Sequence, residues 1–224
     1  MGKVRNSMSK VERAGYTIEW NRSGDLSPDL RDALLRVSSD WREGDEERGF
    51  SMTLGRLFDP RDPACLVAIG RDGSGHVGAF LHFVPAGPRG YSLDVMRRVR
   101  TAPGGVNEWL IARTLEHLGQ QDVCEVSLNF AFMRGIIRPA TEPGPYGRLK
   151  RWLLIKMGPW FQIESLYRFN NKFGPTWRRR YGACEDRVAL PGVVVAALRA
   201  ENLFDLSTLR HGQRGKRGSS LASV

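Results

Sequence analysis

Residues 64–87, ACLVAIGRDGSGHVGAFLHFVPAG, constrain the fold more than any other stretch. Two apolar runs flank the turn Asp72-Gly73-Ser74-Gly75. Strand-forming runs joined by Asp and Gly, which tolerate the backbone angles of a tight turn, predict a β-hairpin. GYSLDVMRRV (90–99) then reads as a third strand, and CEVSLNFAF (124–132) as a fourth.

Helices fill the intervals. In LSPDLRDALLRVSSDWREG, Ser27 is placed to cap, Pro28 to occupy the first turn, and Leu30, Leu34, Leu35 and Trp41 to share a face. GGVNEWLIARTLEHLGQQ predicts a helix with Val106, Leu110, Ala112, Leu115 and Leu118 inward. RLKRWLLIKMG and QIESLYRFNNKF read as two helices parted by Gly158-Pro159, RYGACE as a short closing strand, and ALPGVVVAALRAENL as a last helix. Strands that meet in a hairpin and then cross over through a helix imply an α/β (α+β) domain with a mixed, mostly antiparallel sheet flanked by helices. The acetyltransferase (GNAT) fold has this order. The expected divisions are a flexible segment over 1–24, an acetyltransferase-like domain over 25–206 and a basic disordered tail over 207–224.

The chain of 224 residues is 41% hydrophobic, enough for a real core, and carries a formal charge of +10. The basicity is concentrated. Residues 144–181 hold nine Lys/Arg and one Glu, and residues 210–224 hold four Lys/Arg and no acid, so the remainder is slightly negative. Such segments favour polyanions or anionic lipid headgroups. ESLYRFNNKFGPTWRRRY (164–181) adds aromatic rings to four arginines and a lysine. Cys65, Cys124 and Cys184 are far apart, which supports neither a zinc site nor a disulfide framework and makes a reduced, cytoplasmic compartment the default. No apolar run approaches the roughly 20 residues needed to span a bilayer, and MGKVRNSMSKVERAG does not read as a signal peptide.

Four stretches, ERGFSMTLGR, SLDVMRR with APGGVNEWLIA, VSLNFAFMR and ESLYRFNNKFGPTWRRRY, occur in the order and spacing of the C-terminal catalytic region of bacterial phosphatidylglycerol lysyltransferases. The chain resembles that family over roughly residues 25–205, above all its actinobacterial branch fused to a lysyl-tRNA synthetase. The resemblance implies transfer of an amino acid, lysine in the family's usual chemistry, from aminoacyl-tRNA to the headgroup hydroxyl of phosphatidylglycerol. It implies no metal or coenzyme, and a peripheral position on the cytoplasmic face of the membrane. The family's first acetyltransferase-like domain, its flippase region and its synthetase module find no counterpart in these residues. A partner chain or domain supplying the missing half is therefore implied.

The site candidates follow from residue chemistry and from that resemblance. Asp94 and Arg97 fall in the family's active-site motif, where a carboxylate can hold an ammonium and an arginine a phosphate or the terminal ribose. A structural ion pair is the plainer alternative. Lys172 matches a motif lysine and is expected at the ester carbonyl, where a cation stabilises the negative charge of acyl transfer. Asn107 and Glu108 follow a glycine-rich entry to a helix, an anion-binding arrangement in which Glu108 also suits the dipole. Ser127 and Asn129 alternate with apolar residues on the fourth strand, and Arg180 and Tyr181 belong to the basic aromatic stretch. Lys150, Arg151, Trp152, Lys156 and Trp160 interleave cations with apolar rings, as in a helix lying at a bilayer surface. A buried amphipathic helix with a basic outer face is the alternative. No Ser-His-Asp or Cys-His arrangement stands out, and the four histidines are scattered. Two other functions compete: a CoA-dependent N-acetyltransferase of the same fold, and a non-catalytic tRNA- or nucleic-acid-binding module built on residues 144–181.

Overall fold

The computed structural model describes residues 2–42, 56–128 and 167–178, with residues 144, 189, 192, 193 and 196. Helix α1 (Gly2–Arg13) leads into β1 (Thr17–Arg22), a single 3-10 turn (Ser23–Asp25) and α2 (Pro28–Arg42). Strands β2 (Leu66–Arg71), β3 (Val77–Pro85) and β4 (Gly90–Arg98) follow, then α3 (Val106–Gly119) and β5 (Glu125–Ser127). The sheet runs β1-β2-β3-β4-β5. Its first four strands pair antiparallel, and β5 pairs parallel with β4 after the α3 crossover. This is the mixed, mostly antiparallel, acetyltransferase-like arrangement expected from the sequence.

The hairpin turn forms for the reason its residues suggest. Asp72 Oδ1 accepts from the backbone N–H of Ser74 and His76 at 2.9 and 3.0 Å, and Gly75 takes φ +83°. The period-2 alternation of the strands sorts side chains onto two faces. Leu66, Ala68, Ala79, Leu81 and Phe83 pack with Val106, Trp109, Leu110 and Ile111 of α3. Val67, Ile69, Phe80 and Val95 pack with Leu34 and Val37 of α2 on the other face. Within α2, Ser27 Oγ accepts from the N–H of Leu30, so the expected cap is present, whereas Leu35 and Trp41 lie outward, each 40% exposed. The inward stripe follows Leu30, Leu34 and Val37 instead. In α3, Trp109 and Ile111 are buried and Ala112 is not fully so, because the helix is covered by both the sheet and α1.

The N-terminal segment corrects an expectation. Residues 1–24 were expected to be flexible, yet they supply α1 and β1. Val4, Met8 and Val11 recur at helical spacing, Val4 and Val11 are buried, and Met8 packs on the core. Glu12 Oε1 accepts from Trp109 Nε1 at 3.2 Å and from Arg113 Nε at 3.1 Å, fastening α1 to α3. The expected helices over 148–158 and 189–203, the start of that over 162–173, the closing strand and the tail lie outside the described residues, apart from the few isolated positions named above.

Candidate active site

Among the described candidates, Asp94 and Arg97 lie on β4, and Asn107 and Glu108 lie in the first turn of α3. β4 carries an irregularity: Phe83 pairs with Leu93 and His82 with Val95, so Asp94 is an extra residue. A β-bulge re-aims side chains locally. Leu93 and Met96 face α3, whereas Val95 faces α2 and Arg97 pairs with Phe80, a residue of the α2 face. Asp94 is thereby delivered to His82, with His82 Nδ1 at 2.9 Å from Asp94 Oδ2. Both side chains are nearly sealed from solvent, at 1% and 4% exposure. Burial, with smaller contributions from Asp62 and Asp94, pushes the Cys65 thiol up to about 11.

Across the sheet, α3 starts at Gly105, whose φ of +98° belongs to the left-handed region. Glu108 in the first turn suits the positive end of the helix dipole. Its Oε1 lies 2.7 Å from Lys172 Nζ, which also stands 5.1 Å from the centre of the Phe169 ring. Lys172 is one-third exposed and Glu108 15% exposed, so the cation is held from behind and open in front. Asn107 Oδ1 beside it is buried without a hydrogen-bond partner. Residues 167–171 are helical, and Asn170 Nδ2 donates to the Leu128 carbonyl at 3.2 Å. That bond moors the turn carrying Lys172 to the end of β5.

Two groupings therefore flank the end of β4: Asp94 with His82 and Arg97 on the α2 face, and Lys172 with Glu108 and Asn107 on the α3 face. Ser127, half-buried on β5, pairs in register with Ser92, farther back along β4. Asn129, Arg180, Tyr181, Lys150, Arg151, Trp152, Lys156 and Trp160 lie outside the described residues. Among the described residues no cluster of His, Cys, Asp and Glu could hold a metal ion, and no helix is long and apolar enough to cross a membrane. Reading the sequence alone overlooked His82. The usable signal was that Asp94 and His82 lie on successive strands of one hairpin; the bulge hid their register.

A mixed five-stranded sheet with α2 packed on one face and α1 and α3 on the other defines an α/β (α+β) class of fold. The phosphatidylglycerol lysyltransferase C-terminal family model matches residues 1–184, and the chain belongs to that family. A lysylphosphatidylglycerol biosynthesis bifunctional protein from Mycolicibacterium gilvum is 36% identical over 225 residues, covering 100% of the chain and 20% of the relative. Its counterpart from Mycobacterium avium is 41% identical over 211 residues, covering 92% and 18%. The chain thus spans about a fifth of the length of the curated relatives it matches. Among solved structures, L-PGS from Bacillus licheniformis superposes with a TM-score of 0.69 at 22% identity, over 89% of this chain and 59% of that one. The C-terminal domain of an Agrobacterium fabrum protein named for lysylphosphatidylglycerol synthetase superposes with a TM-score of 0.67 at 25% identity, over 91% and 60%.

Proposed function

We propose that the chain carries an aminoacyl-transfer site that moves lysine from lysyl-tRNA to a headgroup hydroxyl of phosphatidylglycerol, working peripherally on the cytoplasmic face of the membrane. The observation that carries this reading is family membership across residues 1–184, a span that includes the family-motif residues Asp94, Arg97 and Lys172. The lipid hydroxyl oxygen attacks the ester carbonyl carbon of the aminoacyl group. A tetrahedral oxyanion forms, the bond to the tRNA ribose oxygen breaks, and the proton of the lipid hydroxyl ends on that ribose oxygen. Lys172, held by Glu108, supplies the cation that stabilises the oxyanion. Asp94 receives the ammonium of the lysyl group, and Arg97 takes a phosphate or the ribose. Asn107, next in sequence to Glu108, has a buried side-chain oxygen with no hydrogen-bond partner. The proton transfer needs no dedicated side-chain base if the aminoacyl amine or the ribose hydroxyl carries it.

Residues 144–181 serve in this reading as the surface for both polyanions, with Lys150, Arg151, Trp152, Lys156 and Trp160 toward lipid and Arg180 and Tyr181 toward the substrate. A second acetyltransferase-like domain, from a partner or a longer chain, would complete the cleft. A CoA-dependent alternative is less supported, because α1 lies against the glycine turn that would have to receive pyrophosphate: a side chain added at Gly105 would meet Ser7 Cβ at 2.6 Å.

The test is transfer of radiolabelled lysine from lysyl-tRNA to phosphatidylglycerol vesicles by the wild type, Asp94→Ala and Lys172→Ala. Labelled lipid made by the wild type and lost in both variants is the expected result. Intact tRNA binding without labelled lipid would instead favour the binding-module reading.

A further inference from the structure

Trp41, expected on the inward stripe of α2, stands outward near the end of that helix. Among the described tryptophans Trp109 is buried and Trp20 and Trp177 are half-buried, whereas Trp41 is 40% exposed. The guanidinium carbon of Arg98 stands 5.6 Å from the centre of its ring, a cation–π contact. Arg98 Nη1 also donates to the Ala102 carbonyl at 3.4 Å, which ties the cation to the loop between β4 and α3.

Position gives this pair its meaning. Arg98 is the last residue of β4 and directly follows Arg97, which pairs in register with Phe80 of the α2 face. Strand alternation alone would send the two arginines to opposite faces. At the strand end Arg98 reaches Trp41 of α2 instead, so the motif arginine and the indole share one side of the sheet. In the transfer reading Arg97 takes the terminal ribose of the tRNA or its phosphate. That ribose carries a base, which must lie within one nucleotide's reach of Arg97.

Helix α2 contributes no net charge, because Asp29, Asp32 and Asp40 balance Arg31, Arg36 and Arg42. A partner held here is recognised by contact and not drawn in over a distance. A bilayer surface would ask for a stripe of apolar residues opposite a basic face. Leu35, the other exposed apolar residue of α2, is six residues away and lies on another side of the helix. A single indole backed by a guanidinium is instead the kind of flat, polarisable surface on which nucleic-acid bases stack.

We propose, resting on the transfer reading, that Trp41 with Arg98 is the platform on which the unpaired 3′-terminal base of lysyl-tRNA stacks while its ribose lies at Arg97. The platform fixes the end of the tRNA, and with it the aminoacyl ester. It makes and breaks no bond.

The test is a double-mutant cycle across the contact, read by filter binding of uncharged tRNA to the full chain. Trp41→Leu keeps an apolar side chain and removes the π-surface. A tRNA with an abasic terminal nucleotide keeps ribose and phosphate and removes the base. Each change alone should weaken binding on the order of 10-fold, within the range for one stacked base. Both together should weaken it no further than either alone. Trp41→Phe should keep most of the affinity, and the salt slope should be unchanged throughout, since no phosphate contact is lost.

Additive losses, or a wild type that binds intact and abasic tRNA equally, would overturn the platform, and labelled lipid made by that wild type would leave the transfer reading standing. A coupled cycle in a chain that makes no labelled lipid would remove the transfer reading and keep the platform. Loss of vesicle binding in Trp41→Leu with tRNA affinity intact would overturn the platform in favour of a lipid contact. If Trp41→Leu does not fold, the intact and abasic tRNAs compared on the wild type and on Trp41→Phe decide, and equal affinities refute the stacking.

Discussion

Lys172 meets Glu108 at 2.7 Å with its far side open, which makes it a cation of fixed position and not a mobile surface lysine. An ammonium has three donors and Glu108 uses one, so donors remain for an oxyanion. Lys172→Ala should reduce lysyl transfer on the order of 10²-fold or more, the usual cost of losing one oxyanion donor, with little change in tRNA affinity by filter binding. Glu108→Gln keeps a hydrogen-bond acceptor and should cost less. Equal losses in both variants would mean that the pair matters as a structural tie. His117 offers a separate reading of stability. Burial against Trp20, whose ring stacks at 4.1 Å, holds His117 below its ordinary value of 6.5. As pH falls through 6.5 the unfolded chain takes up its proton first, so the native state loses stability there and goes on losing it down to the depressed folded value. Denaturant unfolding at about pH 7.5 and 5.5 should show a smaller loss on acidification in His117→Phe than in the wild type.

Helix α1 shows where the sequence was legible and where it was not. The β2–β3 hairpin could be read because Asp72 and Gly75 announce its turn locally, and α3 because its apolar spacing is dense. In α1 only Val4, Met8 and Val11 are apolar on the buried side, and its stability comes from docking, which a local pattern does not display. The Asp94 bulge is equally silent, since register depends on a partner strand. Two substitutions test the docking. Glu12→Ala removes the acceptor shared by Trp109 and Arg113 and should cost about 1 kcal/mol, modest because the Arg113 pair is partly exposed. Gly105→Ala should cost about 2 kcal/mol or more, combining a left-handed backbone with a contact 2.6 Å from Ser7. Adding Ser7→Gly should recover only the steric share. Full recovery in the double variant would show that the positive φ carries no penalty here.

At the scale of the whole molecule, charge and fold are separable. The chain is +10, but residues 144–181 contribute +8 and residues 210–224 contribute +4. Phosphate-bearing partners should therefore be attracted by these segments and not by the sheet. Each cation near an anionic surface adds about 1 kcal/mol, an attraction that salt screens, whereas apolar rings inserted at the interface are insensitive to salt. The two contributions can be told apart by vesicle co-sedimentation of the full chain between about 50 and 300 mM salt. Lys150→Glu/Arg151→Glu/Lys156→Glu should abolish the preference for phosphatidylglycerol over phosphatidylcholine at low salt. Trp152→Ala/Trp160→Ala should lower binding at every salt concentration and leave the slope unchanged. Neutralising Arg210, Arg214, Lys216 and Arg217 should weaken tRNA binding and reduce its salt slope, with lipid preference kept. If the tail variant instead loses lipid preference and the triple variant keeps it, the membrane-facing surface lies in the tail, and residues 148–162 revert to ordinary packing with a basic outer face.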